Sequence, residues 1–365
     1  MKKIVYTVTS LSNSGGIERC LINKANWLVD NDYDVTIITE DSINCFYQVD
    51  PRVKILSLNI KKGVSNYSLT RFCLFIVFSI SYGFKISRLL RKINPDIVVS
   101  ANARDFVILP FVNRSSKKIY EFHWIVSRRL KEDNFLRRMI SRIMNIIGNR
   151  YDNIILLTQK DKEGCSNEWH NIKVIPNALT FTCNTPAQLN NHQVIAVGNL
   201  FHIKGFSRLI DVWNLVHQRC PEWSLSIYGD GYLREELQAK INKLQLGNFV
   251  KLRGKVKDIE AAYLKSSISL ISSYEESFSL TLLEAQTCGL PVVAFDCPFG
   301  PSEIITDGVD GFLIPNDNLE DFANKICLLI ENEKLRKDMG NMAYHNSKRF
   351  AEEKVMPMWV HLFDE

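Results

Sequence analysis

Glycine and proline are sparse, 17 and 11 residues in a chain of 365. That is far from collagen or from low-complexity disordered segments. No two of the nine cysteines are close enough for a Cys-x-x-Cys pair. Their number is odd and several sit inside apolar runs, where a free thiol behaves as a small hydrophobe. A disulfide framework and a cysteine zinc site are therefore not expected, and a reducing compartment is. No apolar run reaches the ~20 residues that a spanning helix needs. The longest, Phe72 to Phe84, is interrupted by Ser79, Ser81 and Gly83. The N-terminus offers only Ile4 to Val8 behind Met1-Lys2-Lys3, too short for a signal-peptide core and without a small-residue cleavage site. A cytoplasmic protein, not integral to a membrane, is expected.

Apolar residues make up 46% and charged residues 23%, ordinary values for a globular chain. At roughly 150 residues per domain the length predicts two domains. The formal net charge of +5 hides an asymmetry. Residues 51–150 hold 20 Lys and Arg against 5 Asp and Glu, a net of +15, whereas residues 191–365 hold 18 against 24, a net of −6. The basic half calls for an anionic neighbour, whether lipid headgroup, nucleic acid or phosphorylated substrate.

Periodicity gives the organisation. Ile4 to Val8 is a short β-rich run, Ser12 to Gly16 is turn chemistry, and Cys20, Leu21, Ala25, Leu28 and Val29 recur at helical spacing before Val35 to Ile38. This is a βαβ unit. Val53 to Leu58, Ile97 to Ser100, Lys118 to Phe122 and Ile154 to Thr158 continue the strand series. The pattern restarts with strands at Val194 to Gly198, Ser224 to Tyr228, Val250 to Leu252, Ile268 to Ile271 and Pro291 to Phe295. Helices are expected from Phe206, over Gly231 to Leu244, Ile259 to Lys265 and Leu280 to Thr287. The fold class predicted is α/β, with two doubly wound Rossmann-like domains facing a central cleft. The boundaries are 1–178 for an acceptor-binding domain, 179–191 for a linker rich in Asn, Thr, Pro and Gln, and 192–345 for a nucleotide-sugar-binding domain. A C-terminal helix at 346–365 is expected to pack back toward the first domain.

Ligands of such sheets bind at the carboxyl ends of the strands. The strongest motif there is Glu276-Ser277-Phe278-Ser279-Leu280-Thr281-Leu282-Leu283-Glu284, which follows a strand and enters a helix. Two carboxylates flank the first N–H groups of that helix, and a helix N-terminus is an anion site. A phosphate there would lie between two groups able to accept sugar or ribose hydroxyls. On spacing alone, Glu276 as a helix cap and Glu284 as a solvated helix residue is an equal reading. Gly229-Asp230-Gly231 starts like a dinucleotide fingerprint, but Arg234 occupies its third glycine position, which argues against a nicotinamide or flavin cofactor.

The run continues through Ala285 to Gly289-Leu290-Pro291-Val292-Val293, then Phe295-Asp296-Cys297-Pro298-Phe299-Gly300-Pro301-Ser302-Glu303 and Asp307-Gly308-Val309-Asp310-Gly311-Phe312-Leu313-Ile314-Pro315. In that order these segments resemble the C-terminal signature of the retaining GT-B glycosyltransferases of family 4. Gly198-Asn199 to Lys204-Gly205 and Gly229-Asp230-Gly231 extend the resemblance over the C-terminal half. Gly15-Gly16-Ile17-Glu18 and Phe122-His123-Trp124 carry it more weakly into the N-terminal half. The resemblance implies that Glu284 holds ribose hydroxyls and Glu276 the donor sugar. Backbone N–H groups of Phe278, Ser279 and Leu280 would hold the sugar and the distal phosphate. Lys204 would neutralise the leaving diphosphate, and Gly15 and Gly16 would let the backbone approach it. His123 would contact the donor sugar, and Arg253 and Gly254 would lie beside the nucleobase. The family commonly has Arg where Asn199 stands; its loss implies either weaker diphosphate stabilisation or a substitute cation, Arg253 or Arg19. Stabilisation by Lys204 and the helix N-terminus calls for no metal and no cofactor.

Arg137, Arg138 and Arg142 lie on a stretch, Leu136 to Ile147, whose apolar residues recur every three or four positions; Lys85 and Arg88 form a second basic cluster. A packed helix with a solvated basic face explains this, and so does docking to anionic lipid. Nucleic-acid binding is not expected, since no reader motif accompanies the charge. The expectation is an enzyme on the inner face of the cytoplasmic membrane that moves a hexose or N-acetylhexosamine from a nucleotide sugar, by resemblance UDP-linked, with retention. The acceptor would be a glycan or lipid-linked oligosaccharide of capsule, exopolysaccharide or O-antigen assembly. Two other readings fit the same motifs: a catalytically silent scaffold of this fold, favoured by Asn199, and a nucleotide-sugar epimerase.

Overall fold

A computed structural model describes residues 1–60, 68–112, 115–127, 135–165 and 169–365; for 68–78, 135–138 and 140 it describes the backbone alone. The chain forms two units, Met1–Ile175 with Met356–Glu365, and Pro176–Val355.

The first unit holds a parallel sheet of β1 (Lys3–Val8), β2 (Asp34–Thr39), β3 (Lys54–Ser57), β4 (Ile97–Ser100), β5 (Lys117–Glu121), β6 (Asn153–Leu156) and β7 (Ile172–Val174). Their order is β3-β2-β1-β4-β5-β6-β7. Ile4 lies beside Val35 on one side and Ile97 on the other. Helices cover both faces, so the central strands read as unbroken apolar runs instead of alternating ones. The strand order reverses between β1 and β4, the position at which a doubly wound sheet opens a crevice for ligand.

The second unit repeats the plan with β8 (Gln193–Val197), β9 (Ser224–Tyr228), β10 (Val250–Gly254), β11 (Ile268–Ile271), β12 (Val292–Phe295) and β13 (Gly311–Ile314), in the order β10-β9-β8-β11-β12-β13. Its switch point lies between β8 and β11. Val194, Ala196, Leu209, Trp213, Ile227, Ile268 and Phe295 are buried in one core.

Four expectations differ from what the chain does. The segment Asp307 to Pro315, whose glycines and aspartates are turn chemistry, contains β13, and the strand series of the sequence does not include β7; strands of four and three residues leave too little pattern to see. The helix expected from Gly231 spans Arg234–Lys243, because Gly231 to Leu233 form a turn closed by the Arg234 N–H on the Gly231 carbonyl at 3.1 Å. The segment 179–191 is not a free linker. The chain leaves the first unit at Ile175, and the irregular stretch is fastened to the second by Leu179 N–H to Phe350 O at 2.8 Å and Ala187 N–H to Cys288 O at 2.8 Å.

The terminal helix, Glu352–Asp364, ends in the first unit. Trp359 is buried there, with the Lys24 ammonium 4.4 Å from its ring centre. Among the described residues, no helix is long and apolar enough to cross a membrane.

Candidate active site

The loops at the carboxyl ends of β8 and β11 bring Lys204 and Glu276 together. Lys204 ends a 3₁₀ turn, His202–Lys204, which Gly205 terminates at φ +65°. A Cβ on Gly205 would lie 2.0 Å from the Ser272 carbonyl oxygen, so only glycine lets the two loops approach this closely. The Ser272 hydroxyl donates to the Lys204 carbonyl at 2.9 Å, and the Tyr274 N–H to the Ile203 carbonyl at 2.8 Å. Held in this way, Lys204 Nζ donates to Glu276 Oε1 at 2.7 Å, and the Ser273 hydroxyl donates to the same oxygen at 2.6 Å. Glu276 is buried, while the Lys204 side chain stays partly open to solvent. Glu276 is therefore an ion-paired carboxylate and not a simple helix cap.

The helix that follows, Leu280–Thr287, starts behind Ser279 at φ +70°. Among the described residues the buried Ser279 hydroxyl has no hydrogen-bond partner. The first N–H groups of a helix have no acceptor within it. Phe278 and Leu280 contribute backbone only: the Phe278 ring is buried, edge-on to Phe350 at 5.4 Å. Glu284 is buried and not solvated; its carboxylate accepts from the Thr180 hydroxyl at 2.7 Å and the Tyr263 hydroxyl at 3.4 Å. Thr180 belongs to the segment expected to be a linker, which explains why its role escaped the sequence.

Asn199 is exposed at the start of the β8 loop. Of the two expected substitute cations, Arg253 donates its Nε to the Ser226 hydroxyl at 3.0 Å, and Arg19, in the first unit, lies over the Tyr47 ring at 5.5 Å. Gly254 ends β10 at φ +75°. A cation that sequence reasoning missed is Arg208, four residues beyond Lys204 and buried on the helix Phe206–Arg219. Its spacing puts it on a row with Val212, a weak sign of burial that its charge masked.

In the first unit, Gly15 precedes the helix Gly16–Asp30 with an ordinary φ of −82°. The pocket at that turn is lined by Ser10, Ser12, Asn13, Glu18 and Asp41. His123 Nε2 lies 3.5 Å from Glu121 Oε1, and Lys24 Nζ donates to the same oxygen at 2.6 Å. All three side chains are nearly inaccessible. Burial pushes the Glu121 carboxyl up, but the Lys24 and His123 charges outweigh it and hold the group at about 2.

Asp-x-Asp, with which many metal-dependent transferases chelate a metal–diphosphate, occurs at Asp30-Asn31-Asp32 and Asp32-Tyr33-Asp34. Asp34 opens β2, so this stretch lies at the amino end of the sheet, away from the strand-end loops. Asp30 and Asp34 are paired with Arg52 and, at 2.8 Å, with Lys54. Against expectation, two cysteines do approach a ligand geometry: Sγ of Cys220 and Cys327 and a Glu331 oxygen lie within 4.8 Å of one another.

On the basic helix Phe135–Gly148, Arg142 is exposed together with Met139, Ile143 and Ile146. Lys85 and Arg88 are also exposed. The side chains of Arg137 and Arg138 lie outside the described residues.

Two family models match the chain: glycosyl transferases group 1 over residues 184–346, and glycosyltransferase family 4 over residues 14–180. An uncharacterized glycosyltransferase of Haemophilus influenzae is 30% identical, over 98% of this chain and 99% of its own length. The amylovoran biosynthesis glycosyltransferase AmsD of Erwinia amylovora is 27% identical, over 98% and 99%. The crystal structure of a mutant of S. aureus TarM in complex with fondaparinux, α-GlcNAc-glycerol and UDP superimposes with a TM-score of 0.84 over 100% of both chains, at 19% identity.

The Lys24–Glu121 pair has a stability consequence. Its carboxyl is depressed in the folded state, so its contribution is complete above the ordinary carboxylate range and is lost as pH falls toward about 2. Lys24→Met leaves the buried Glu121 carboxylate without its ammonium partner, beside His123 alone, and should cost about 3–5 kcal/mol. Denaturant unfolding at pH 7 and pH 3 checks this: the deficit of the variant should shrink at the lower pH, and a deficit independent of pH would contradict it.

Proposed function

The chain belongs to the GT-B glycosyltransferases of family 4, and from that premise we propose that it transfers a hexose or N-acetylhexosamine from a UDP-sugar, with retention, to a glycan or lipid-linked acceptor in cell-surface polysaccharide synthesis. The observation that carries this reading is the 2.7 Å contact of Lys204 with Glu276 at the strand ends, followed by a helix that carries the buried Glu284 one turn in. Glu284 accepts the ribose hydroxyls in place of, or beside, those of Thr180 and Tyr263. Glu276 accepts hydroxyls of the donor sugar, and Lys204 turns to the diphosphate as negative charge grows on the leaving oxygen. The helix N-terminus at Leu280 supplies further N–H donors to that charge. The bond from the anomeric carbon to the diphosphate breaks while the acceptor oxygen attacks from the same face, its proton passing to the departing phosphate. That route keeps the anomeric configuration without a covalent intermediate and asks for no metal. UDP in the TarM complex and amylovoran biosynthesis in the AmsD name favour the donor and pathway class chosen here.

We further propose that the helix Phe135–Gly148 docks on anionic lipid. Met139, Ile143 and Ile146 present an apolar strip to solvent at positions four and three apart, beside Arg142. An apolar strip edged by cations is the pattern of an interfacial helix, each cation contributing about 1 kcal/mol near an anionic surface.

Three outcomes test these readings. Glu284→Ala should weaken UDP binding by about 1.5–3 kcal/mol, since charge-assisted hydrogen bonds are lost; calorimetry reads this, with and without a chelator, and unchanged affinity would remove the ribose role. Lys204→Ala should lower turnover well beyond its effect on donor affinity, as for a group that acts on the departing charge. Equal losses in both would mark Lys204 as a simple binding residue. Replacing Arg137, Arg138 and Arg142 with Gln should release the protein from phosphatidylglycerol vesicles in a sedimentation assay, and persistent binding would refute the docking helix.

A further inference from the structure

We propose that Arg208 is the positioning residue of this site: a buried guanidinium that grips the loop between β11 and Glu276 and so sets where Lys204 and Glu276 meet. The proposal rests on the reading of those two residues given above.

Arg208 is 5% exposed. Its Nε donates to the Ser272 carbonyl at 2.8 Å and its Nη2 to the Ser273 carbonyl at 2.6 Å. Its Nη1 donates to Asn316 Oδ1 at 2.8 Å and Asp317 Oδ1 at 2.6 Å, in the loop after β13. Tyr274 and Phe295 lie 3.9 Å and 4.0 Å from the guanidinium carbon, measured to their ring centres. The donors of a planar fork are thus aimed along three directions while two rings fix its plane.

Two of the residues that Arg208 grips, Ser272 and Ser273, each hold one of the reacting pair. Ser272 donates to the Lys204 carbonyl, Ser273 donates to the Glu276 carboxylate, and Tyr274 donates its N–H to the carbonyl of Ile203. One side chain therefore fixes both the cation and the carboxylate, although it touches neither.

Stability alone does not account for such a residue. Taking a guanidinium out of water is costly, and burial lowers its pKa. A well-packed apolar side chain in the same place is often no less stable. Its one carboxylate partner among the described residues, Asp317, is 69% exposed and screened by solvent. What the guanidinium supplies and an apolar group does not is simultaneous orientation of two consecutive carbonyls. It also answers the absence of a cation at Asn199, since a single Lys204 must then be placed more strictly.

The test compares Arg208→Lys, Tyr274→Leu and Glu276→Ala with the wild-type chain. The readouts are UDP affinity by calorimetry, hydrolysis of UDP-glucose and UDP-N-acetylglucosamine, and amide hydrogen exchange. Arg208→Lys keeps the charge but not the fork. It should stay folded and bind UDP within about threefold of wild type while turnover falls about tenfold or more, the signature of lost transition-state geometry rather than lost binding. Exchange should rise across residues 272–279. Tyr274→Leu, which removes one face of the clamp, should show the same split to a smaller degree. Turnover and exchange in a folded Arg208→Lys that match wild type, with Glu276→Ala inactive, would overturn the role of Arg208 alone. Full turnover in Glu276→Ala as well would overturn both this proposal and the reading of the site beneath it.

Discussion

The ammonium of Lys204 against the carboxylate of Glu276 is the contact around which the strand ends of the second unit are organised. A carboxylate this buried needs a partner, and a lysine stem is flexible enough to miss one. The chain removes that freedom in layers. Gly205 lets the two loops touch, the Ser272 hydroxyl ties one loop to the other, and the helix Phe206–Arg219 sends Arg208 underneath them. The sheet does the rest: a parallel β8–β11 pair delivers both loops to the same end.

The first unit meets a comparable demand with different groups. Glu121 and Lys24 are both buried and satisfy each other, with His123 beside them and the Trp359 ring over the ammonium. In both units a buried, ion-paired carboxylate sits at or just beyond the end of a strand. There electrostatic interactions are stronger than in water, and misplaced ones are more damaging.

Much of this was legible in the residues. The alternation of apolar runs with helical spacing gave two doubly wound sheets, because long central strands such as Ile4 to Val8 keep their pattern under any packing. Short strands did not show: Gly311–Ile314 reads as a turn because Asp307, Gly308 and Asp310 precede it and a glycine opens it. The E-x7-E spacing drew attention to Glu276 and Glu284, but nothing local separates a solvated glutamate from a buried one on an eight-residue helix. The partners that bury them, Lys204, Thr180 and Tyr263, lie 72, 104 and 21 residues away. Arg208 was hidden for the same reason, since its acceptors are backbone carbonyls 64 and 65 residues further on. The Asp-x-Asp stretch shows the converse, a pattern whose place at the amino end of a sheet deprives it of the meaning its letters suggest.

The terminal segment Met356–Glu365 bears on the order in which the chain is made. It completes the first unit, yet it is synthesised after all of the second. While the ribosome is translating Pro176–Val355, Lys24 has no Trp359 to lie against, and the surface that Trp359, Leu362 and Phe363 will cover is wet. The second unit is one continuous stretch and can consolidate as it emerges. A chain translated only as far as Val355 therefore holds every residue of the second unit and still lacks part of the first.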